Sequence, residues 1–423
     1  MSGPLPRHLL PDTAASGDDG WLTIGGCSTA DLAHEFGTPL FVYDETHLRT
    51  RCREARAGFP DGVAYATKAF LCRAMAKLAL EEGMLLDVAT AGEVHVAVAA
   101  GATGEQLIMH GNNKSVEELQ LARELGATIV VDSFDELDRL DALYADDRIV
   151  PRVLIRVTPG VEAHTHEFIR TGQIDSKFGF GVASGDAAAA IRRARTSHAT
   201  DLAGVHLHIG SQIFVADFFH QAIEVVAPFL HDVGVDELSI GGGLGVAYLD
   251  GEEAPTITQW ARSVRDAAAA AGIDARITAE PGRAIVAAAA VTLYTVGTIK
   301  DVPGVRTYVS VDGGMSDNPR PVLYGSGYEA FLPRAPFAER PRVVRIVGKH
   351  CESGDVLVRE ATLPADLAVG DLVATPVTGA YGHSMGSNYN KVLRPAVVFV
   401  AGGDARLVVR RERYEDLLAT DLG

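Results

Sequence analysis

Cysteine is scarce in this chain. Four occur in 423 residues, Cys27, Cys52, Cys72 and Cys351, none in a CxxC pair and none grouped with histidine at zinc-ligand spacing. That pattern sets aside a disulfide framework and a structural metal site, and leaves each thiol as a small apolar filler or a reactive group. No apolar run approaches the roughly 20 residues of a membrane span. The start, MSGPLPRHLLPDTAASGDD, has no signal-peptide core, which points to a cytoplasmic protein. Basic residues are outnumbered, 38 Lys and Arg against 55 Asp and Glu, and the net charge of −17 is spread along the chain. Such a surface favours solubility and argues against a nucleic-acid partner. Heptads, low-complexity tracts and tandem repeats are also missing.

What is present is an ordinary globular composition, 47% apolar and 22% charged, at a length that suggests two or three domains. Residues 1–20, rich in Pro, Gly, Ser and Asp, read as mobile. A short strand (PLFVYD) and a helix (THLRTRCREARAGF) follow. Strand-like runs then recur at 63–67, 85–89, 107–110, 128–132, 152–158, 202–209, 237–241 and 276–280. Helical stretches such as RAMAKLALEEG and SVEELQLARELG separate most of them, with Gly83, Gly101 and Gly126 where helices should end. Alternating strand and helix predicts a parallel sheet, and eight units fit a (βα)8 barrel. A dinucleotide fold is disfavoured, because no GxGxxG follows the first strand. Beyond residue 291 the helical period disappears, and β-rich runs from VTLYTVGTI to RLVVRRE predict an all-β domain. The expected class is α/β: a (βα)8 TIM-like barrel over 38–290, an all-β C-terminal domain over 291–423, and an N-terminal segment, 1–37, partly packed on the β domain.

In such a barrel the C-terminal strand ends converge on one mouth. Reading them in order gives Lys68, Asp87 to Thr90, His110, Asp132, Arg156, His208 with Ser211, the glycines 241–243, and Glu280 with Arg283. Lys68 ends the run VAYATKAFL. A lysine there can pair with a carboxylate, bind an anion, or act as a neutral amine towards a carbonyl. GGGLG (241–245) is either an ordinary turn or a place where backbone N–H groups meet an anion. EPGR (280–283) is expected to open a helix with Pro281 in its first position, leaving N–H groups free for a phosphate. A lysine beside two phosphate cradles fits pyridoxal phosphate, with Glu280 against the ring nitrogen or, alternatively, ion-paired to an arginine. DGGMSDNPRPVLYG (312–325), CESGD (351–355) and GAYGHSMGSNYN (379–390) are either turns or functional loops.

YATKAF, HGNNKS, TGQIDSKFGFG, HLHIGSQI, GGGLG, EPGR and those three loops together resemble the fold-type-III, alanine-racemase-like decarboxylases that use pyridoxal phosphate. The likeness runs from about residue 38 to the end, and TGQIDSKFG with CESGD points to the diaminopimelate branch. It implies decarboxylation of meso-2,6-diaminopimelate to L-lysine. Lys68 would carry the cofactor aldehyde and His208 would stack on its ring. Asp87, Ser211, Gly242, Gly243, Pro281, Gly282, Arg283 and Tyr381 would help hold the cofactor, the phosphate above all, and Glu280 would meet the ring nitrogen. Arg283, Arg320, Tyr324, Glu352 and Tyr381 would bind the substrate, and Cys351 would return a proton. The resemblance further implies a homodimer with shared sites, Cys351 and Glu352 crossing to the second protomer. A decarboxylase of a related amino acid, an amino-acid racemase and a non-catalytic homologue are the competing readings.

Overall fold

The computed structural model describes residues 4–144, 150–160 and 176–423. It divides into two compact units, one of residues 51–246 and 254–284, the other of residues 1–50, 247–253 and 285–423.

The first unit is the expected barrel. Its strands are β1 (Ala64–Ala66), β2 (Leu85–Val88), β3 (Leu107–Met109), β4 (Thr128–Val131), β5 (Arg152–Thr158), β6 (Asp201–Leu207), β7 (Glu237–Ser239) and β8 (Arg276–Thr278). They pair in parallel in chain order from β1 to β8. The circle is nearly closed by a bridge between Val63 and Ala279 and by N–H donation from Ala64 to Ala279 O at 2.9 Å. The strands read as near-continuous apolar runs because each is covered on both faces. Local signals agree with the fold. Ser115 and Glu118 form a capping box at the start of helix Val116–Leu125, which ends at Gly126 in the left-handed conformation (φ 77°). At Gly204 a Cβ would lie 2.0 Å from Glu237 O, so only glycine lets β6 approach β7 there. Outside the strands, Trp260 is fully buried against Phe59 and Phe219, with ring centroids 4.8 and 5.5 Å away.

The second unit is built on an eight-stranded sheet. All seven β-rich runs foreseen after residue 291 form strands: Ala290–Val302, Arg306–Val311, Arg342–Val347, Val356–Leu363, Leu372–Pro376, Ala396–Ala401 and Asp404–Val409. The eighth is Leu40–Asp44. It lies between Ala290–Val302 (antiparallel) and Ala396–Ala401 (parallel), and all five of its residues are buried. The PLFVYD strand, counted by its position with the barrel segment 38–290, therefore joins this sheet instead. A strand apolar on both faces needs neighbours on both edges and cover on both sides. The mobile reading of residues 1–20 does not hold for residues 4–20. Leu5, Leu9 and Leu10 are buried, and Thr13 donates from both its N–H and its hydroxyl to Asp44 Oδ2.

Candidate active site

The barrel strands deliver their last side chains into a cavity of about 470 Å³, within the range of roughly 300–1,000 Å³ usual for small-molecule sites. Lys68, Asp87, His110, Arg156, His206, His208 and Glu280 all line it. Lys68 sits one turn past β1, in the 3-10 turn Thr67–Ala69, with its side chain exposed. The strand-end lysine is therefore not enclosed by the protein, as a buried position would have it, but opens into this cavity.

Glu280 is the most heavily engaged group. Its Oε2 is 2.9 Å from His206 Nε2, and its Oε1 accepts from Ser239 Oγ at 3.1 Å and lies 3.3 Å from His110 Nε2. Burial alone would raise its pKa, but His110 and His206 overcome that and hold it well below the usual carboxylate range. For His110, burial favours the neutral ring. The Asp87 carboxylate, 3.6 Å away, and Glu280 outweigh it and raise the imidazole above the ordinary histidine value. Burial dominates at His206 and lowers it. His208 keeps part of its ring open to the cavity yet lies deep in the barrel. Burial and then the Lys68 and Arg156 charges push it well down, so this imidazole is neutral at pH 7. Arg156 lies 3.6 Å from Asp132 and stacks on Phe178 at 4.3 Å. The arginine partner of the Glu280 alternative is thus replaced by two histidines.

Ser211, Gly242, Gly243 and Arg283 gather beside this group. Arg283 Nη2 donates to Ser211 Oγ at 3.3 Å. The three glycines permit close backbone packing: a Cβ on Gly242 would lie 2.5 Å from Glu280 O, and one on Gly243 2.4 Å from Gly210 O. Gly241 and Gly243 spend their carbonyls on Glu280 N and Ile213 N, whereas among the described residues the Gly242 and Gly243 N–H groups meet no acceptor. Two unclaimed N–H groups beside a guanidinium and a hydroxyl are the donor set of a phosphate site. The EPGR segment departs from expectation. Pro281 O accepts from Ala66 N at 3.2 Å, prolonging the closure of the barrel, so the helix starts only at Arg283 and spans Arg283–Val286. Pro281 is not its first residue, and Gly282 packs on Ala66 and Ala69, where a Cβ would come within 2.9 Å of Ala66.

In the other unit the three polar loops are laced together. Cys351 N donates to Asn390 Oδ1 (3.2 Å), His350 bridges Ser316 and Asn390, and Asp355 accepts from Met315 N and His350 N. Cys351 and Glu352 are exposed, as is Tyr324 at the end of the short helix Arg320–Tyr324. Arg320 is buried. It stacks on Tyr248 at 4.3 Å and donates to Tyr328 Oη at 2.6 Å, and among the described residues no carboxylate pairs with it. Tyr381 is half-buried with φ 61°, a strained value for a residue with a side chain. Residues 171–175 of the TGQIDSKFG motif lie outside the described residues. His206 was not singled out from sequence, although it alternates with His208 in HLHI and so faces the same side of the strand.

A lysine, a doubly engaged buried carboxylate, a neutral histidine and a phosphate cradle at a barrel mouth fit pyridoxal phosphate as cofactor. Residues 45–287 match the family model described as pyridoxal-dependent decarboxylase, pyridoxal binding domain, and the chain belongs to that family. It is 47% identical to the diaminopimelate decarboxylase of Mycobacterium tuberculosis over 99% of this chain and 98% of that one. Against the Bacillus subtilis diaminopimelate decarboxylase the identity is 46%, covering 98% of each chain. The solved diaminopimelate decarboxylase of M. jannaschii, in complex with L-lysine, superposes with a TM-score of 0.91 at 32% identity, over 97% of this chain and 98% of that one. No helix among the described residues is long and apolar enough to cross a membrane.

Proposed function

We propose that this chain removes one carboxylate of meso-2,6-diaminopimelate, releasing carbon dioxide and leaving L-lysine. The observation that carries the reading is the barrel-mouth cavity, where Lys68, His208 and the clasped Glu280 meet, in a chain alike over its whole length to diaminopimelate decarboxylases. When bound, pyridoxal phosphate supplies an electron sink for the pair left on carbon when the carboxylate departs. Lys68 would hold the cofactor by its aldehyde carbon. The Gly242 and Gly243 N–H groups, Ser211, Arg283 and Tyr381 hold the phosphate. His208, kept uncharged by its surroundings, would lie against the ring without opposing a cationic cofactor. Glu280, kept ionised, keeps the ring nitrogen protonated, and Asp87 adds a further negative charge at the same floor.

The substrate carries an amino-acid group at each end, so its distal end needs both a cationic and an anionic partner. Arg320 is suited to the distal carboxylate, since it is buried and no carboxylate of the described chain claims it. Arg283, Tyr324 and Tyr381 assist, and Glu352 meets the distal ammonium. Requiring a second carboxylate excludes ornithine and lysine. Cys351 gives its thiol proton to the carbon that lost carbon dioxide. The exposure of Cys351, Glu352, Leu323 and Tyr324 supports a homodimer in which these residues complete the site of a second protomer. The cysteine usage favours the cytoplasm. The division of labour follows: a cofactor-binding barrel, and a β domain, joined by the N-terminal segment, that serves substrate and partner.

Incubating the holoenzyme with meso-diaminopimelate tests this directly. Equimolar carbon dioxide and L-lysine are expected. Interconversion of stereoisomers without gas, or release of carbon dioxide from ornithine but not from diaminopimelate, would overturn it.

A further inference from the structure

We propose that His110 and His206 act as a two-sided clamp on Glu280: neutral His206 donates its Nε2–H to Oε2, while His110, as an imidazolium held between Glu280 and Asp87, fixes the charge on Oε1. Both are positioning residues, acting on the cofactor through the carboxylate. The inference rests on the reading of Glu280 as partner of the ring nitrogen and deepens it.

The geometry sets the two roles apart. His206 lies at hydrogen-bond length from Glu280, and its other nitrogen, Nδ1, is buried without a partner among the described residues. A buried N–H is favoured where an acceptor meets it. The proton therefore belongs on Nε2, aimed at Glu280, and Nδ1 keeps its lone pair. His110 Nε2 stands 3.3 Å from Glu280 and 3.6 Å from Asp87, off the line for a formed hydrogen bond to either. Its influence is thus chiefly that of a charge between two carboxylates. The rings meet edge to face, with centroids 5.0 Å apart, which keeps both from turning away. The groups facing His110 are Asp87 from β2, Arg156 from β5, His206 from β6 and Glu280 after β8, while Lys68 and His208 complete the charged lining. Asp87 and Glu280 both lie within 3.6 Å of His110 Nε2, so His110 is the side chain placed to carry a positive charge between them.

This arrangement matters because a carboxylate held by its solvent shell alone can rotate or take up a proton, and either would remove the charge opposite the ring nitrogen. Gripping both oxygens preorganises the carboxylate before the cofactor arrives.

The test is nitrogen NMR of the full-length protein labelled with ¹⁵N-histidine, with and without pyridoxal phosphate, assigned through His110→Asn and His206→Asn. Expected are a His110 imidazole that stays doubly protonated to higher pH than an ordinary histidine, and a neutral Nε2–H tautomer at His206. Glu280→Gln should move the His110 titration downward, since Glu280 is one of the two carboxylates that raise it. A His110 that loses its proton no later than an ordinary histidine, or a proton on His206 Nδ1, overturns the clamp, and neither result depends on a variant folding. Equilibrium binding of pyridoxal phosphate supplies the second readout. His206→Leu should weaken it about 10- to 100-fold, the range for losing a hydrogen bond to a charged group, and His206→Gln, which keeps an N–H donor, should recover most of that. Equal losses in both variants overturn the donor role. Should the imidazoles behave as expected while Glu280→Gln leaves cofactor affinity and turnover unchanged, the clamp stands and the ring-nitrogen role of Glu280 falls. The reverse pattern spares that role and sinks the clamp.

Discussion

Lys114 offers a sharp test of how the cavity wall is built. Its side chain is completely buried, and its ammonium donates to Gly111 O (2.8 Å), Val130 O (2.6 Å) and Glu136 Oε1 (2.7 Å), the last of these acids itself only 2% exposed. Glu136 in turn accepts from Asp132 N at 3.1 Å, and Arg139 donates to Lys114 O. The ammonium thus ties the loop carrying Asn112 and Asn113, which line the cavity, to the end of β4. Lys114→Met keeps the volume, so little of its effect comes from a void. It removes the charge and leaves Glu136 and two carbonyls without their donor. Breaking a buried pair by deleting one partner costs about 3–5 kcal/mol. For a unit of this size 1 kcal/mol corresponds to about 2–4 °C, so the barrel transition should fall by roughly 6–20 °C. Lys114→Met with Glu136→Leu removes both charges and should regain most of the loss, since an apolar pair replaces a buried ionic one at little cost. Differential scanning calorimetry measures both, following the barrel transition because a two-unit chain need not unfold in one step. A single variant that loses under about 1 kcal/mol, or a double variant no more stable than the single, would refute the reasoning.

Three further expectations follow from the other unit and from the proposed reaction. Asp317 is fully buried and pushed up to about 7, by burial first and then by Asp355 and Asp312, against the pull of the Gly314 N–H. The unfolded chain releases this proton near pH 3.9, so the folded state binds more protons between about pH 4 and 7. Stability at this locus therefore falls as pH rises through that window. Asp317→Asn should flatten the slope by up to about 4 kcal/mol, and superimposable melting-temperature profiles from pH 5 to 8 would contradict this. Cys351→Ala should lower turnover at least about 100-fold, in line with the loss of a general acid, with cofactor affinity nearly intact; an unchanged turnover number removes Cys351 from proton donation. Lys68→Ala should abolish the visible absorption of lysine-bound cofactor. Mixed with Cys351→Ala it should regain activity through hybrid dimers, and no recovery after verified subunit exchange speaks against sharing.

The barrel was readable because its information is local. Each strand is a short apolar run, several helices carry their own cap at Thr90, Ser115 and Thr256, and the alternation alone dictates parallel pairing. The mouth was readable for the same reason, since strand ends map one-to-one onto Lys68, Asp87, His110, Arg156 and Glu280. Long-range facts were not legible. Nothing within LFVYD says that Phe41 pairs with Thr292 on one side and Val397 on the other. Leu5, Leu9 and Leu10 anchor a segment whose Pro, Gly and Ser suggested mobility, because three spaced leucines outweigh composition once a surface is there to receive them. Pro281 was misplaced because its carbonyl answers to Ala66, a partner that no helix-start rule considers. His206 was within reach, as strict alternation puts it on the face of His208.

Leu40–Asp44 has a bearing on synthesis of the chain. At roughly 5–20 residues per second, translating residues 45–289 takes on the order of ten to fifty seconds. For most of that interval the strand has left the ribosome while both of its neighbours in the sheet are still unmade. An emerging polypeptide must keep a sticky, two-edged stretch from pairing elsewhere until its rightful neighbours arrive, so stalled or shortened translation products should be the form of this protein most in need of chaperones.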